Sequence, residues 1–283
     1  MLPTISQHAK SHLIFPKKNL GQNFLYDKSL CDKIAKSANI TENDIILEIG
    51  PGVGGLTRSI LSFCPKKLIA IEKDSRCINL LMEIQSQYPS LTILDQDALK
   101  VEISSLWDIF ELDPKDKIKI VANLPYNIAT LLITNCLQNS NKLSQINVLV
   151  QKEVAERIVS APSKKSYGRL SIFCQILSDP HILFNISPDA FYPKPKIWSS
   201  FVTLKPKAGA PSPEALELLS HVTHLAFSMR RKKLKTSLKD YLALSNKLEQ
   251  SKELRPENIA PSEYLEITEE IISSNPSKYY SNQ

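Results

Sequence analysis

The tetrapeptide Asn123-Leu124-Pro125-Tyr126 carries the clearest chemistry in this sequence. An Asn-x-Pro-aromatic element at the end of an apolar strand can grip an exocyclic amino group on a nucleobase. The run Ile118-Lys119-Ile120-Val121-Ala122 before it is short, β-branched and apolar, as a buried strand requires. Such a strand delivers Asn123 to its C-terminal edge, where open α/β sheets bind ligands. Alone, the four residues would more readily be a proline turn before a helix. With the segments described next, they point to transfer of a methyl group onto nitrogen.

Residues 45–54, Ile-Ile-Leu-Glu-Ile-Gly-Pro-Gly-Val-Gly, read as a strand running into a glycine turn, with a helix beginning near Gly55. Such a turn lets backbone amides approach a ligand closely. The string Glu48-x-Gly50-x-Gly52-x-Gly54 resembles the cofactor loop of class I S-adenosylmethionine methyltransferases more than a dinucleotide loop. The next strand ends in Ile69-Ala70-Ile71-Glu72, which puts a carboxylate about twenty residues past the loop, where it can accept hydrogen bonds from a ribose diol. The strand after that delivers Asp95-Gln96-Asp97, and Asp97 is placed either to receive an adenine amino group or to cap a helix. The glycine loop, Glu72, Asp97 and Asn123 thus fall at four successive strand ends.

An aromatic amino nitrogen is a poor nucleophile while its lone pair is delocalised into the ring. The Asn123 side-chain oxygen and the Leu124 or Pro125 carbonyl would accept its two N–H bonds, localise the lone pair and aim it at an activated methyl. Positioning then supplies most of the acceleration and no strong general base is required. The sequence offers no obvious catalytic histidine.

The elements that must hold these residues are legible as alternation. Apolar runs at 45–49, 68–71, 91–94, 118–122 and 146–150 are interleaved with helical patterns at 29–38, 55–63 and 75–87, the signature of β-α-β units on a parallel sheet. After a polar helix at 152–160, the apolar stretches 170–177, 181–186 and 200–204 suggest antiparallel strands closing that sheet. Residues 207–213, Lys-Ala-Gly-Ala-Pro-Ser-Pro, read as a linker, and helical spacing at 214–228, 232–243 and 261–273 follows. The expectation is a Rossmann-like α/β catalytic domain over 1–207 and a small all-helical domain over 208–283.

The chain has 283 residues, 42% of them hydrophobic, enough for one large domain and a small appendage. No segment reaches the ~18 consecutive apolar residues of a membrane helix. Residues 1–18 lack the apolar core of a signal peptide, so a cytoplasmic protein is expected. Five scattered cysteines, with no C-x-x-C pair and no companion histidine cluster, read as reduced, buried thiols without a metal. The net charge of +6 is uneven: Lys17-Lys18, Lys164-Lys165 with Arg169, Lys194 with Lys196, and Arg230-Arg231-Lys232-Lys233 form clusters suited to phosphates.

Taken together, the motifs resemble those of the ribosomal RNA adenine N6-dimethyltransferases of the small-subunit type. The likeness covers nearly the whole chain and rests also on Gly21-Gln-Asn-Phe-Leu25, Gln151-Lys-Glu-Val-Ala-Glu-Arg157, Tyr167-Gly-Arg-Leu170, Phe191-Tyr-Pro-Lys-Pro-Lys196 and Ala226-Phe-Ser-Met-Arg-Arg-Lys-Lys233. Asn19-Leu20 and Met229 depart from the residues frequent in that family. The resemblance implies S-adenosylmethionine as methyl donor, with Asn23, Leu25, Gly50, Gly52, Glu72, Asp97 and Asn123 as its contacts. It implies dimethylation of two adjacent adenosines in the 3′-terminal hairpin loop of small-subunit rRNA, by a monomer acting on an assembling subunit.

Asn123, Pro125, Tyr126 and Phe191 would form the acceptor site, with Tyr126 and Phe191 clamping a flipped or looped-out adenine. Pro188, Pro193 and Pro195 suggest an exposed, stiff loop around Phe191 whose Lys194 and Lys196 would hold neighbouring phosphates. Three other readings share some of these features: a resistance methyltransferase for large-subunit RNA, an assembly factor without catalysis, and an NAD oxidoreductase.

Overall fold

A computed structural model describes residues 2–17 and 20–274. Lys18, counted in the first basic cluster, and Asn19, one of the departures from the family, lie outside the described residues. The chain forms two compact units: Met1–Ala155 with His181–Pro206, and Glu156–Pro180 with Lys207–Gln283.

In chain order the regular elements are α1 (Ile5–Ser11), β1 (Phe24–Leu25), α2 (Lys28–Ser37), β2 (Ile45–Ile49), α3 (Gly55–Leu61), β3 (Lys67–Glu72), α4 (Ser75–Gln85) and β4 (Leu91–Asp95). Then come α5 (Leu106–Ile109), β5 (Ile118–Asn123), α6 (Ala129–Gln138), β6 (Leu143–Gln151), α7 (Lys152–Ile158), α8 (Arg169–Leu177) and β7 (Ser178–Ile186). The last are β8 (Phe191–Tyr192), β9 (Ser199–Pro206), α9 (Pro213–Ser228), α10 (Leu234–Ser237), α11 (Asn246–Ser251) and α12 (Pro261–Ser274).

The first unit is built on a seven-stranded sheet in the order β4-β3-β2-β5-β6-β9-β7. Its β3/β4, β2/β3, β2/β5 and β5/β6 pairs are parallel, and β9 runs antiparallel to β6. All five residues of β2 are buried, as in a central strand covered on both faces. The order reverses between β2 and β5, so the crevice beyond their C-terminal ends is the place a ligand is expected. Outside this sheet, β1 and β8 form a short antiparallel ladder of their own. No helix among the described residues is long and apolar enough to cross a membrane.

The second unit corrects one expectation. Residues 170–177, read as a strand, lie in helix α8, because an eight-residue apolar run fits a strand and a doubly buried helix equally well. Six of the nine residues of α8 are buried, and the Gly168 N–H donates to Ser171 Oγ at 3.1 Å in its first turn. The segment also belongs with the C-terminal helices rather than the sheet. Tyr167, fully buried, donates to the Ile259 carbonyl at 2.7 Å, and the Ser163 N–H donates to the Glu257 carbonyl at 2.7 Å. Four of the five cysteines are buried free thiols as expected, and Cys64 is exposed.

Candidate active site

The C-terminal ends of β2, β3 and β5 and the turn after β4 border one cleft, about 820 Å³ including the solvent at its mouth. A strap over residues 20–25, leading into β1, forms another wall. Asn23, Leu25, Gly50, Gly52, Glu72, Asp97, Asn123 and Pro125 all line this space, so these residues, spread over a hundred positions of sequence, are brought together. Tyr126 and Phe191 lie outside the lining, and Arg230, Arg231, Lys232 and Lys233 belong to the second unit.

The turn after β2 is shaped for close approach. Gly52 has φ +55°, and a Cβ there would stand 2.9 Å from the Phe24 ring, so neither the backbone nor the space admits a side chain without strain. The Gly52 amide donates to Glu72 Oε2 at 3.0 Å, while Glu72 Oε1 accepts from the amides of Lys73 at 2.8 Å and Asp74 at 2.9 Å. Burial pushes the Glu72 carboxyl above its ordinary range, against these three amides. A carboxylate has about four acceptor sites, so about one remains for a ligand hydroxyl. Asp97 combines two roles that sequence left as alternatives: it lines the cleft and it caps the following 3-10 turn, accepting from the Leu99 amide at 3.1 Å. That amide, and then Lys73 at 3.2 Å, hold its carboxyl below the usual range.

Asn123 ends β5, and its amide is oriented by one contact. Asn123 Nδ2 donates to the Asn23 carbonyl at 2.9 Å, while Oδ1 is buried without a hydrogen-bond partner. A buried acceptor left bare costs on the order of 1–3 kcal/mol unless a ligand pairs it. The Pro125 carbonyl accepts from the Ile128 amide at 3.1 Å in the turn that opens α6. Tyr126, half-buried, has its hydroxyl 2.5 Å from Ser199 Oγ at the start of β9, and burial raises its phenol against that contact.

Phe191 differs from the exposed loop expected around it. In the β1/β8 ladder Leu25 faces Phe191 and Phe24 faces Tyr192, and strand alternation sends neighbouring side chains to opposite sides. Phe191 is therefore the inward residue, 4% exposed within the core, and Tyr192 the outward one. Lys194 and Lys196 are exposed as expected, and Lys194 pairs with Asp189 at 2.5 Å.

Two participants escaped the sequence assignment although their motifs were recognised. Glu48 is 1% exposed and lines the cleft, its Oε2 without a partner. Burial first, then the charge of Glu72, push its carboxyl up to about 8, with the neighbouring Thr57 hydroxyl opposing. Gln22 wires the strap to α4: it donates to Asp74 Oδ2 at 2.9 Å and accepts from the Lys17 amide at 2.9 Å. Position within a Glu-x-Gly-x-Gly and a Gly-Gln-Asn motif was the signal available for both.

The cleft therefore presents three carboxyl groups and two bare buried oxygens, Glu48 Oε2 and Asn123 Oδ1. Such a lining repels a pyrophosphate and suits a ligand rich in N–H and O–H donors that carries positive charge, which S-adenosylmethionine does. Fold and site together define a Rossmann-like methyltransferase with S-adenosylmethionine as donor. The sequence model of the family described as ribosomal RNA adenine dimethylase matches residues 16–273, and the chain belongs to that family.

Among curated proteins, a ribosomal RNA small subunit methyltransferase A of Allorhizobium ampelinum is 40% identical over 272 residues, 94% of this chain and 96% of the relative. Its namesake from Xanthobacter autotrophicus is 43% identical over 242 residues, 84% of this chain and 82% of that one. Among solved structures, a dimethyladenosine transferase from Plasmodium falciparum superposes with TM-score 0.74 at 26% identity, covering 89% of this chain and 98% of its own. The 23S rRNA methyltransferase ErmE shares the fold, with TM-score 0.64 at 22% identity over 88% of this chain and 99% of its own.

Proposed function

We propose that this protein converts two adjacent adenosines in the 3′-terminal hairpin loop of small-subunit rRNA to N6,N6-dimethyladenosine. It does so as a cytoplasmic monomer acting on an assembling subunit. The observation that carries the reading is the Asn123 amide: one end tied to the strap, the other a bare, buried acceptor in the cleft. The small-subunit choice draws on the names of the relatives at 40–43% identity, against the large-subunit alternative.

Bound S-adenosylmethionine supplies an activated sulfonium methyl. Asn123 Oδ1 accepts one N–H of the adenine amino group. The second acceptor is the Leu124 or Pro125 carbonyl, the latter already accepting from the Ile128 amide. Two acceptors on one amino group draw its lone pair out of conjugation, and their fixed positions hold the nitrogen on a line of attack. A monomethylated amine keeps one N–H, which Asn123 still orients for the second transfer. Glu72 and Asp97 would hold the donor's ribose and adenine, and the glycine turn would let it approach the backbone closely. Tyr126, fixed through Ser199, offers the face on which the flipped adenine stacks.

Methyl transfer from labelled donor to unmethylated small subunits and, separately, to large-subunit RNA tests the reading. N6,N6-dimethyladenosine is expected in the small subunit alone; label confined to large-subunit RNA overturns the substrate assignment.

The basic block is divided by its ion pairs. Arg230 donates to Glu257 at 2.6 Å and to the Lys165 carbonyl at 2.9 Å, and Lys233 and Lys235 share Glu253, whose carboxyl they hold down to about 2. Among the described residues, the exposed side chains of Arg231 and Lys232 have no such partner. Replacing Arg231 and Lys232 together by alanine is expected to lower the slope of log affinity against log salt by about 1.5, at roughly 0.7–0.9 per phosphate lost. Replacing Lys233 is expected to change it less. Equal slopes for all variants would remove the block from the RNA contact.

A further inference from the structure

Two large aromatic side chains remain outside the core at the ends of one basic loop. Tyr192 is 54% exposed and Trp198 51% exposed, and Lys194, Pro195 and Lys196 lie between them. Aromatic faces of this size left in water are available for base stacking. Both ends are fastened to the acceptor site. Tyr192 is registered opposite Phe24 of the cleft wall, with its ring 6.1 Å from that of Tyr26. Trp198 precedes Ser199, which holds the Tyr126 hydroxyl, and the Trp198 carbonyl accepts from the Lys152 amide at 2.9 Å. The rings therefore project from positions set by the backbone hydrogen bonds of β8 and β9. Between them, Lys194 is paired with Asp189, whereas Lys196 has no ion-pair partner among the described residues.

We propose that Tyr192 and Trp198 form a stacking platform for the unpaired nucleotides flanking the target adenosine, with Lys196 on the phosphate between them. The inference rests on the single-stranded RNA substrate proposed above and adds residues outside the catalytic cleft. The occupant is read from the combination of features. Flat aromatic faces with an adjacent unpaired cation match unstacked bases on a phosphate backbone, and duplex RNA offers no free base faces. A protein partner would find Tyr192, Ile197 and Trp198 interrupted by Lys194 and Lys196, where the cores of protein interfaces are depleted of charge. Tyr126 receives the reacting base, and the platform fixes its neighbours, so it sets affinity and register with no part in the methyl transfer itself.

The chain has two tryptophans, and Trp107 is 7% exposed, so fluorescence changes at the surface report on Trp198. The full-length protein is titrated with an unstructured hexaribonucleotide carrying two adjacent adenosines, with an RNA duplex of equal charge, and with tripolyphosphate. Quenching by the hexamer alone, lost in Trp198→Leu, is expected. Trp198→Leu with Tyr192→Leu should weaken hexamer binding by about fivefold to 150-fold for each stacked base lost. The same double variant should raise KM for small subunits with kcat within about twofold, and Trp198→Phe with Tyr192→Phe should restore it.

Equal quenching by duplex or tripolyphosphate, or unchanged KM in the leucine pair, overturns the platform while transfer to small subunits continues. Absence of transfer by the unsubstituted protein to any RNA would instead overturn the substrate reading beneath it.

Discussion

Asn123→Ala is expected to lower kcat for methyl transfer by about 10²–10³-fold or more, the scale on which single preorganised hydrogen-bonding groups at a reacting centre act. RNA affinity should fall by less than about fivefold, because RNA contacts are spread over many residues. The separation follows from geometry. Asn123 Oδ1 sits buried and unpaired at the end of β5, where it costs stability until a donor arrives. Its benefit is realised with the amino group in place and grows as that nitrogen changes hybridisation, so it acts on turnover more than on binding. Asn123→Asp is informative beside it. A carboxylate keeps the acceptor but loses the donation to Asn23, so the strap loses its tie and KM for the donor should rise along with the fall in kcat. Near-normal turnover of Asn123→Ala, measured by single-turnover transfer to small subunits, would refute the role given to the amide.

How far the site could be read in advance depended on which physical rule fixed each residue. Gly50, Glu72, Asp97 and Asn123 were legible because each ends or follows a strand of a parallel sheet, and alternation of strand and helix places such ends along one edge, whereas Asn23, on the strap before β1, was indicated by the family resemblance alone. Parallel central strands such as β2 are apolar throughout, so their positions were readable too. Residues 170–177 were not, since burial on both faces erases the periodicity that separates helix from strand.

Phe191 shows a different limit. Its loop was readable from the prolines, but the side its ring faces is set by the register of a two-residue strand on β1, a long-range pairing that no local pattern encodes. The basic block shows a third. Four consecutive cations look alike in sequence, and only the positions of Glu253 and Glu257 decide which are already paired. Glu48 was visible in its motif, yet its protonation is a property of complete burial beside Glu72.

That protonation leads to the second large effect. Glu48 in the folded protein titrates at about 8, against ~4.3 for a glutamate in an unfolded chain. Because the folded value is the higher, the protein binds the extra proton when folded. The associated stability is complete below about pH 4.3 and drains away as pH rises through about 8, in total roughly 5 kcal/mol at most. Glu48→Gln keeps the volume and removes the titration, so the ligand-free variant should gain stability over the parent as pH is raised from 5 to 9, measured by denaturant unfolding. Donor binding should move the opposite way.

S-adenosylmethionine carries a net positive charge and favours ionised Glu48, so at pH 7 binding should release close to one proton. Affinity should rise nearly tenfold per pH unit up to about pH 8 and level off above it. The charge of Glu72, on the neighbouring strand β3, opposes that ionisation, and the positive charge of the donor offsets it. Calorimetry in buffers of different ionisation enthalpy counts the proton directly. In Glu48→Gln the proton release should vanish and donor affinity should fall although the fold is more stable. A variant both less stable and unaltered in proton release would assign Glu48 to the core alone. The cleft would then rely on Glu72 and Asp97 to balance the donor's charge.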